Sequence, residues 1–310
     1  MKINKSILKL ICLSAIIILL TLIVNKVTAD NYRKLYIKNI NEKVESLKDS
    51  SYFFIGSSRV QKSINAQEVN KVFKNRNIVN LGITASTFIS NCLLAESIMK
   101  KNSGVFFIEL SPTIFKLSEG LVLFSKEMEI DLLKGANQLF HKEKTYSRYV
   151  HMLKIYGSYL FIKYSYQRKI RSLFRTNEMI LVGFDPNDKT QKTHSISSFL
   201  TYNELVDAKN KQVKLDSYKN YINYLTDLSV QHKSKIVFFL PLTYKSVGER
   251  NIVIPLYQSL PDSLKVVYSE KFLNEITNTD YLNDINHLNT KGAKVYSQWL
   301  GEYLNANYSD

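Results

Sequence analysis

The hydrophobic pattern changes period several times along the chain, and each change predicts an element. Leu10 to Val24 is unbroken apolar sequence with Lys2, Lys5 and Lys9 before it. It fits either a signal peptide cut after Val27-Thr28-Ala29 or, counted from Ile7 with Lys9 reaching back to the headgroups, an uncleaved membrane anchor. Lys26 inside the would-be cleavage region favours the anchor, so residues 1–29 are read as a transmembrane signal anchor. Residues 30–50 are polar, with Tyr32, Leu35, Tyr36, Ile40, Val44 and Leu47 at helical spacing, which predicts a stalk helix.

Short apolar runs follow. Tyr52 to Ile55, Asn77 to Leu81, Val105 to Leu110 and Lys235 to Leu240 have the brevity and flanks of buried parallel strands, and Val266 to Tyr268 offers a short fifth. Between them, Phe88, Cys92, Ala95, Ile98 and Met99 mark a helix over Thr87–Lys100, and Leu215, Tyr218, Ile222, Leu225 and Leu228 mark another. A last helix from Thr290 to Leu304 is expected to pack Val295, Trp299 and Tyr303. Strands alternating with helices predict an α/β fold with a parallel sheet covered on both faces. The strand-to-helix turns then gather at the carboxyl edge, where such folds place their sites. The stretch 113–212 is far too long for a crossover. It reads as a mostly helical insertion or lid within an α/β domain made of 51–112 and 213–310.

Composition adds a charge bias. The 310 residues carry 42 basic and 27 acidic side chains, a formal net charge of +15. That favours an anionic partner. With no nucleic-acid module in view, a lipid surface or an anionic glycan is expected before a nucleic acid. The two cysteines, Cys12 in the apolar run and Cys92 in a helical pattern, suggest neither a disulfide framework nor a zinc site. No metal or organic cofactor is expected.

Two short segments carry candidate chemistry. Gly56-Ser57-Ser58-Arg59 follows the first core strand, and a serine on a tight turn at a strand's end is placed to act as a nucleophile with backbone amides nearby. The plainer role is a helix N-cap. Asp284-Ile285-Asn286-His287 lies just before the last helix, and an Asp three residues before a His can fix the imidazole's tautomer and position. The plainer role is a loop with a cap at Asn289 or Thr290. Of the other histidines, His141, His151, His194 and His232 read as surface or structural residues.

Taken together, a Gly-x-Ser after the first strand, Gly82 after the second and an Asp-x-x-His before the last helix resemble the SGNH/GDSL hydrolase superfamily. The resemblance covers about residues 50–110 and 213–305. It implies a flavodoxin-like three-layer sandwich, with Ser58 as nucleophile, His287 as general base and Asp284 as its orienter. It also implies an oxyanion hole built from the amides of Ser58 and Gly82. The family's Gly-x-Asn-Asp block is replaced by Glu109-Leu110-Ser111-Pro112-Thr113. Ser111 can lend a hydroxyl there; a lost donor costs about 3 kcal/mol of transition-state stabilisation. With the anchor and the insertion, the chain resembles membrane-tethered members that act on cell-envelope polymers, such as D-alanyl transfer and glycan O-acetylation proteins. The resemblance implies acyl transfer to or from a polymer hydroxyl, or ester hydrolysis, on the extracytoplasmic face.

One feature stands apart from the resemblance. Lys144 to Arg175 holds eight basic residues, among them Arg168, Lys169 and Arg171, interleaved with aromatics and with no acidic residue. It reads either as helices with a solvated basic face or as a segment lying on anionic lipid or polymer. Arg59 can steer an anionic substrate or form a structural ion pair. The expected partners are an acylated envelope glycan or polymer, a lipid surface and a membrane-bound acyltransferase. The rival to an enzyme is a non-catalytic assembly factor that docks such a membrane protein.

Overall fold

A computed structural model describes residues 5–45, 51–74, 76–84, 86–112, 182–190, 199, 201–206, 215–241 and 246–308. The basic segment 144–175, with Arg168, Lys169 and Arg171, lies outside the described residues, as does most of the expected insertion.

Four parallel strands form the sheet: β1 (Ser51–Gly56), β2 (Ile78–Gly82), β3 (Gly104–Glu109) and β4 (Lys235–Phe239), in the order β2-β1-β3-β4. The helices are α1 (Lys5–Glu45), α2 (Ser58–Ser63), α3 (Ala66–Val72), α4 (Phe88–Met99), α5 (Tyr202–Val206) and α6 (Asp216–Gln231). They continue with α7 (Ile254–Ser259), α8 (Glu270–Ile276) and α9 (Thr290–Tyr308). The expected fifth strand is reduced to a single parallel bridge, Phe238 to Lys265. The sequence there turns at Pro261-Asp262 and gives its amides to a short 3-10 turn, Asp262–Leu264, leaving one residue in pairing register.

The register explains why the strand sequences are apolar throughout. Phe53 pairs with Phe106 and Ile55 with Ile108 on one face; Phe54 pairs with Phe107 on the other. Both faces are covered, so every position needs an apolar or fully satisfied side chain. On the first face Phe88 of α4 meets Phe238 and Tyr218 of α6. On the second, Tyr52 meets Phe73 at the end of α3, and Phe107 meets Tyr308 of α9. The two helix groups thus lie on opposite faces of the sheet, an α/β arrangement compatible with a flavodoxin-like fold. In α9 the buried stripe is Tyr296, Leu300 and Leu304, with Trp299 and Tyr303 at its margin stacked on each other. Val295, Trp299 and Tyr303 pack against the core as expected, beside the fully buried stripe.

One continuous helix, α1, joins the segments read as anchor and stalk. Its far end packs on the domain through Ile40 and Val44. Among the described residues no helix is long and apolar enough to cross a membrane. From Ile7 to Leu20, and again at Ile23, the apolar side chains of α1 stand out into solvent, Leu10 at 65% exposure.

The described part of the insertion is pinned to the domain. Val182 bridges Ile83, and the amides of Gly183 and Asp185 donate to the carbonyls of Gly82 and Gln61. Lys62 pairs with Asp185 at 3.0 Å. Thr290 N–H donates to the Asn187 carbonyl, and Asn289 Nδ2 donates to Thr190 Oγ at 3.2 Å. Residues 182–190 therefore run from the end of β2 to the start of α9.

Candidate active site

The chain leaves β1 toward β2 on one side and later passes to β3 on the other. The crevice at the carboxyl ends of β1 and β3 is thus the switch point of the sheet, the favoured location for a site in open α/β folds. Ser58 sits there as the first residue of α2. Ser57 is the N-cap, its side chain accepting from Arg59 N–H. The helix-cap reading of the Gly-Ser-Ser motif and the nucleophile reading therefore fall on adjacent serines.

Asp284 and His287 arrive on a short loop closed at its base by an antiparallel bridge between Leu282 and Leu288, both fully buried. The His287 carbonyl accepts from the amides of Asn283 and Asp284, which tightens the loop. Asn289 ties it to α9: its Oδ1 accepts from Gly292 N–H and its Nδ2 donates to the Asp280 carbonyl. The expected cap at Asn289 is thus present, and it anchors the loop as well as the helix.

These elements bring three distant side chains together. Ser58 Oγ lies 2.7 Å from His287 Nε2, and His287 Nδ1 lies 2.8 Å from both carboxylate oxygens of Asp284. A carboxylate can only accept, so the partner set puts the ring proton on Nδ1 and leaves Nε2 to accept from the serine hydroxyl. All three side chains are partly exposed, as a site that receives a substrate requires.

Burial pushes the Asp284 carboxyl up, but hydrogen bonds from Asn286 N–H and from His287, together with electrostatic attraction to the imidazole, hold it below the usual carboxylate range. A carboxyl depressed by folding adds stability above its unfolded value, about 3.9, and loses it as pH falls through the folded value. An Asp284→Asn variant is therefore expected to be less stable than the native chain at pH 7. The gap in urea midpoint should narrow progressively as both are acidified below about pH 4; a gap that persists unchanged would locate its origin in packing.

The expected oxyanion donors fare differently. As the first residue of α2, Ser58 has an N–H with no acceptor inside the helix. Gly82 is corrected: its N–H donates to Asn80 Oδ1 at 2.8 Å, so it is occupied. Glycine is needed there because a Cβ would stand 2.3 Å from the Gln61 backbone nitrogen, where the end of β2 closes on α2. Asn80 Nδ2 also donates to the Val60 and Ile64 carbonyls, so this one side chain pins α2 to β2. Ser111 is buried after β3, and its carbonyl accepts from the Tyr218 hydroxyl at 3.3 Å.

Arg59 faces two acids. It is buried, with Nη2 2.6 Å from Glu109 Oε1 and Nη1 2.8 Å from Glu249 Oε1. The arrangement is thus the structural ion pair, with the guanidinium buried rather than open to an anionic substrate. Burial disfavours its charge, but Glu109 and Glu249 outweigh that and raise the guanidinium's pKa. For Glu249 burial wins over Arg59 and pushes the carboxyl up, with Glu109 adding to the rise. Its Oε2 is buried with no hydrogen-bond partner among the described residues.

Sequence reasoning missed Glu109 and Glu249. The signal for Glu109 was present: an acid closing an otherwise apolar buried strand, on the face that α2 covers. Glu249 opens a π turn, Glu249–Val253, and nothing in the spacing around it marks it. Among the described residues no group of three or more His, Cys, Asp or Glu is arranged to hold a metal. No family model matches the chain, and neither a curated protein nor a solved structure matches it.

Proposed function

We propose that the chain is a serine-dependent ester hydrolase or O-acyltransferase of the SGNH type, working through an acyl-serine intermediate. The observation that carries this reading is the contact series from Ser58 Oγ through His287 to Asp284, at 2.7 and 2.8 Å. A serine hydroxyl is a weak nucleophile until a base takes its proton as it attacks. His287 Nε2 is in reach to take it, and Asp284 holds the ring in the required tautomer while stabilising the imidazolium.

The steps balance without a cofactor. Ser58 Oγ bonds to the ester carbonyl carbon as its proton passes to Nε2. The tetrahedral oxyanion forms near the Ser58 N–H. Collapse breaks the bond to the alcohol, which leaves with the proton from Nε2. An acceptor hydroxyl, of water or of a sugar, then attacks the acyl-serine, giving its proton to Nε2. The acyl group departs and the proton returns to Ser58.

The setting extends the proposal to an envelope-facing enzyme. The exposed apolar side chains of α1 from Ile7 to Ile23 suit burial in a lipid surface. The excess of basic residues suits an anionic lipid surface or polymer near it. An O-acylated envelope glycan is the substrate class proposed. The test is ester turnover by the full chain in detergent, on a chromogenic short-chain ester and on an O-acetylated polysaccharide. Release or transfer of the acyl group is expected, and no turnover on either would sink the reading.

A second reading, a docking factor for a membrane acyltransferase, is favoured by one observation. The Gly82 amide, an expected oxyanion donor, is engaged by Asn80 Oδ1. Full complementation of a gene deletion by Ser58→Ala would establish docking over chemistry.

A further inference from the structure

We propose that Glu109 is the positioning residue of the nucleophile turn, fixing Ser58 by gripping the residues on either side of it. The inference rests on Ser58 being the nucleophile, and it goes further by giving a role to a buried acid that the acyl-transfer steps do not use.

Glu109 is 0% exposed and is the last residue of β3. Because Ile55 pairs with Ile108, the next positions on the two strands are Gly56 and Glu109, side by side on the face covered by α2. Gly56 makes the room: a Cβ there would lie 2.4 Å from Glu109 Oε2. The carboxylate fills that room and turns toward the start of α2. One oxygen accepts from Ser57 N–H. The other accepts from Ser57 Oγ at 3.0 Å and from Arg59 Nε at 2.7 Å, with Arg59 Nη2 also beside it. Residues 57 and 59 are therefore both held to the sheet by one carboxylate, while Ser58 between them turns to His287. Arg59 adds a second tether, to Glu249 and to the Leu110 carbonyl.

The charge is informative because it is expensive. Packed apolar residues can replace a buried ion pair at little cost or with a gain in stability, so stability alone is a poor reason to keep one. What apolar packing cannot supply is a directional hold on a backbone amide and a hydroxyl. That hold matters for a nucleophile, since a misplacement of about 1 Å costs on the order of 100-fold in rate.

The experiment measures labelling of Ser58 by a fluorophosphonate probe, with the full chain in detergent, across pH. Glu109→Gln keeps the shape but puts an amide donor against the donors of Ser57 and Arg59. Its labelling rate constant, taken on the fraction that labels, should fall at least about 30-fold, on the scale of that misplacement. Ester kcat should fall with it while KM stays within about twofold, because only the reacting atom has moved. The pH profile of labelling should keep its shape, since His287 and Asp284 are untouched. Ser57→Ala removes the side-chain bonds and leaves the backbone one, so it should slow labelling by a smaller factor, and it serves as the test if Glu109→Gln does not fold. A wild-type rate in either folded variant, with only the melting temperature lowered, overturns the positioning role alone. Failure of the wild-type chain to label at all overturns the nucleophile reading and this inference with it.

Discussion

Ester turnover by the full chain is expected to fall about 10⁴-fold or more when Ser58 is replaced by Ala, with KM for the ester little changed. The reasoning is local. In the proposed mechanism the hydroxyl forms the covalent intermediate, and it lies 2.7 Å from His287 Nε2. Removing it leaves substrate binding and the Ser58-position N–H intact. What survives is direct attack by water, assisted by His287 in a site built for a different attacking atom. A group of residues that acts as a unit loses most of its effect with the first member removed. His287→Ala should therefore fall to a similar floor, and the Ser58→Ala/His287→Ala double variant should be barely worse than either single one. Additive losses would mean that the two side chains act separately.

The largest expected change in stability comes from Arg59→Met, a loss of about 3–5 kcal/mol. Among the described residues Arg59 is the cation that pairs with both Glu109 and Glu249 in a buried cluster. Without it, two carboxylates face each other with little water to separate them, and Glu249 already has one oxygen without a partner among the described residues. One carboxyl must then take up a proton or the region must open. The loss should be largest at neutral pH and shrink on acidification, because protonating the carboxyls removes their repulsion. Urea unfolding of the native chain, Arg59→Met and Arg59→Met/Glu109→Gln/Glu249→Gln separates the sources. The triple variant should recover a large part of the loss, since it removes the uncompensated charge. A triple variant as unstable as the single one would assign the loss to the guanidinium's packing.

The sheet and its flanking helices were legible because a parallel strand buried on both faces has to be apolar throughout. Tyr52 to Ile55 and Lys235 to Leu240 carry that signature, and each observed boundary falls within a residue of the expected one. The Ser58, Asp284 and His287 meeting was legible because topology alone carries the end of β1 and the loop before α9 to the same edge. The oxyanion donors were not legible. Whether an amide is available depends on its neighbours' side chains, and Asn80, two residues before Gly82, takes that N–H. Arg59 illustrates the same limit. Beside a nucleophile it resembles a substrate-steering charge, but the sequence does not show that Glu109 and Glu249, remote in the chain, point at it. The fifth strand failed for a further reason: three apolar residues, Val266 to Tyr268, are too few to outweigh the turn chemistry of Pro261-Asp262 before them.

The central claim is that Ser58 attacks through a proton passed to His287. The most direct measurement is intact and peptide mass spectrometry of the full chain, quenched in acid during reaction with an activated acetyl ester. An acetyl group on the peptide containing Ser58, absent when His287 is replaced by Ala, is the result expected. Turnover with no acyl group on that peptide, or an equal amount of acylation without His287, would contradict it.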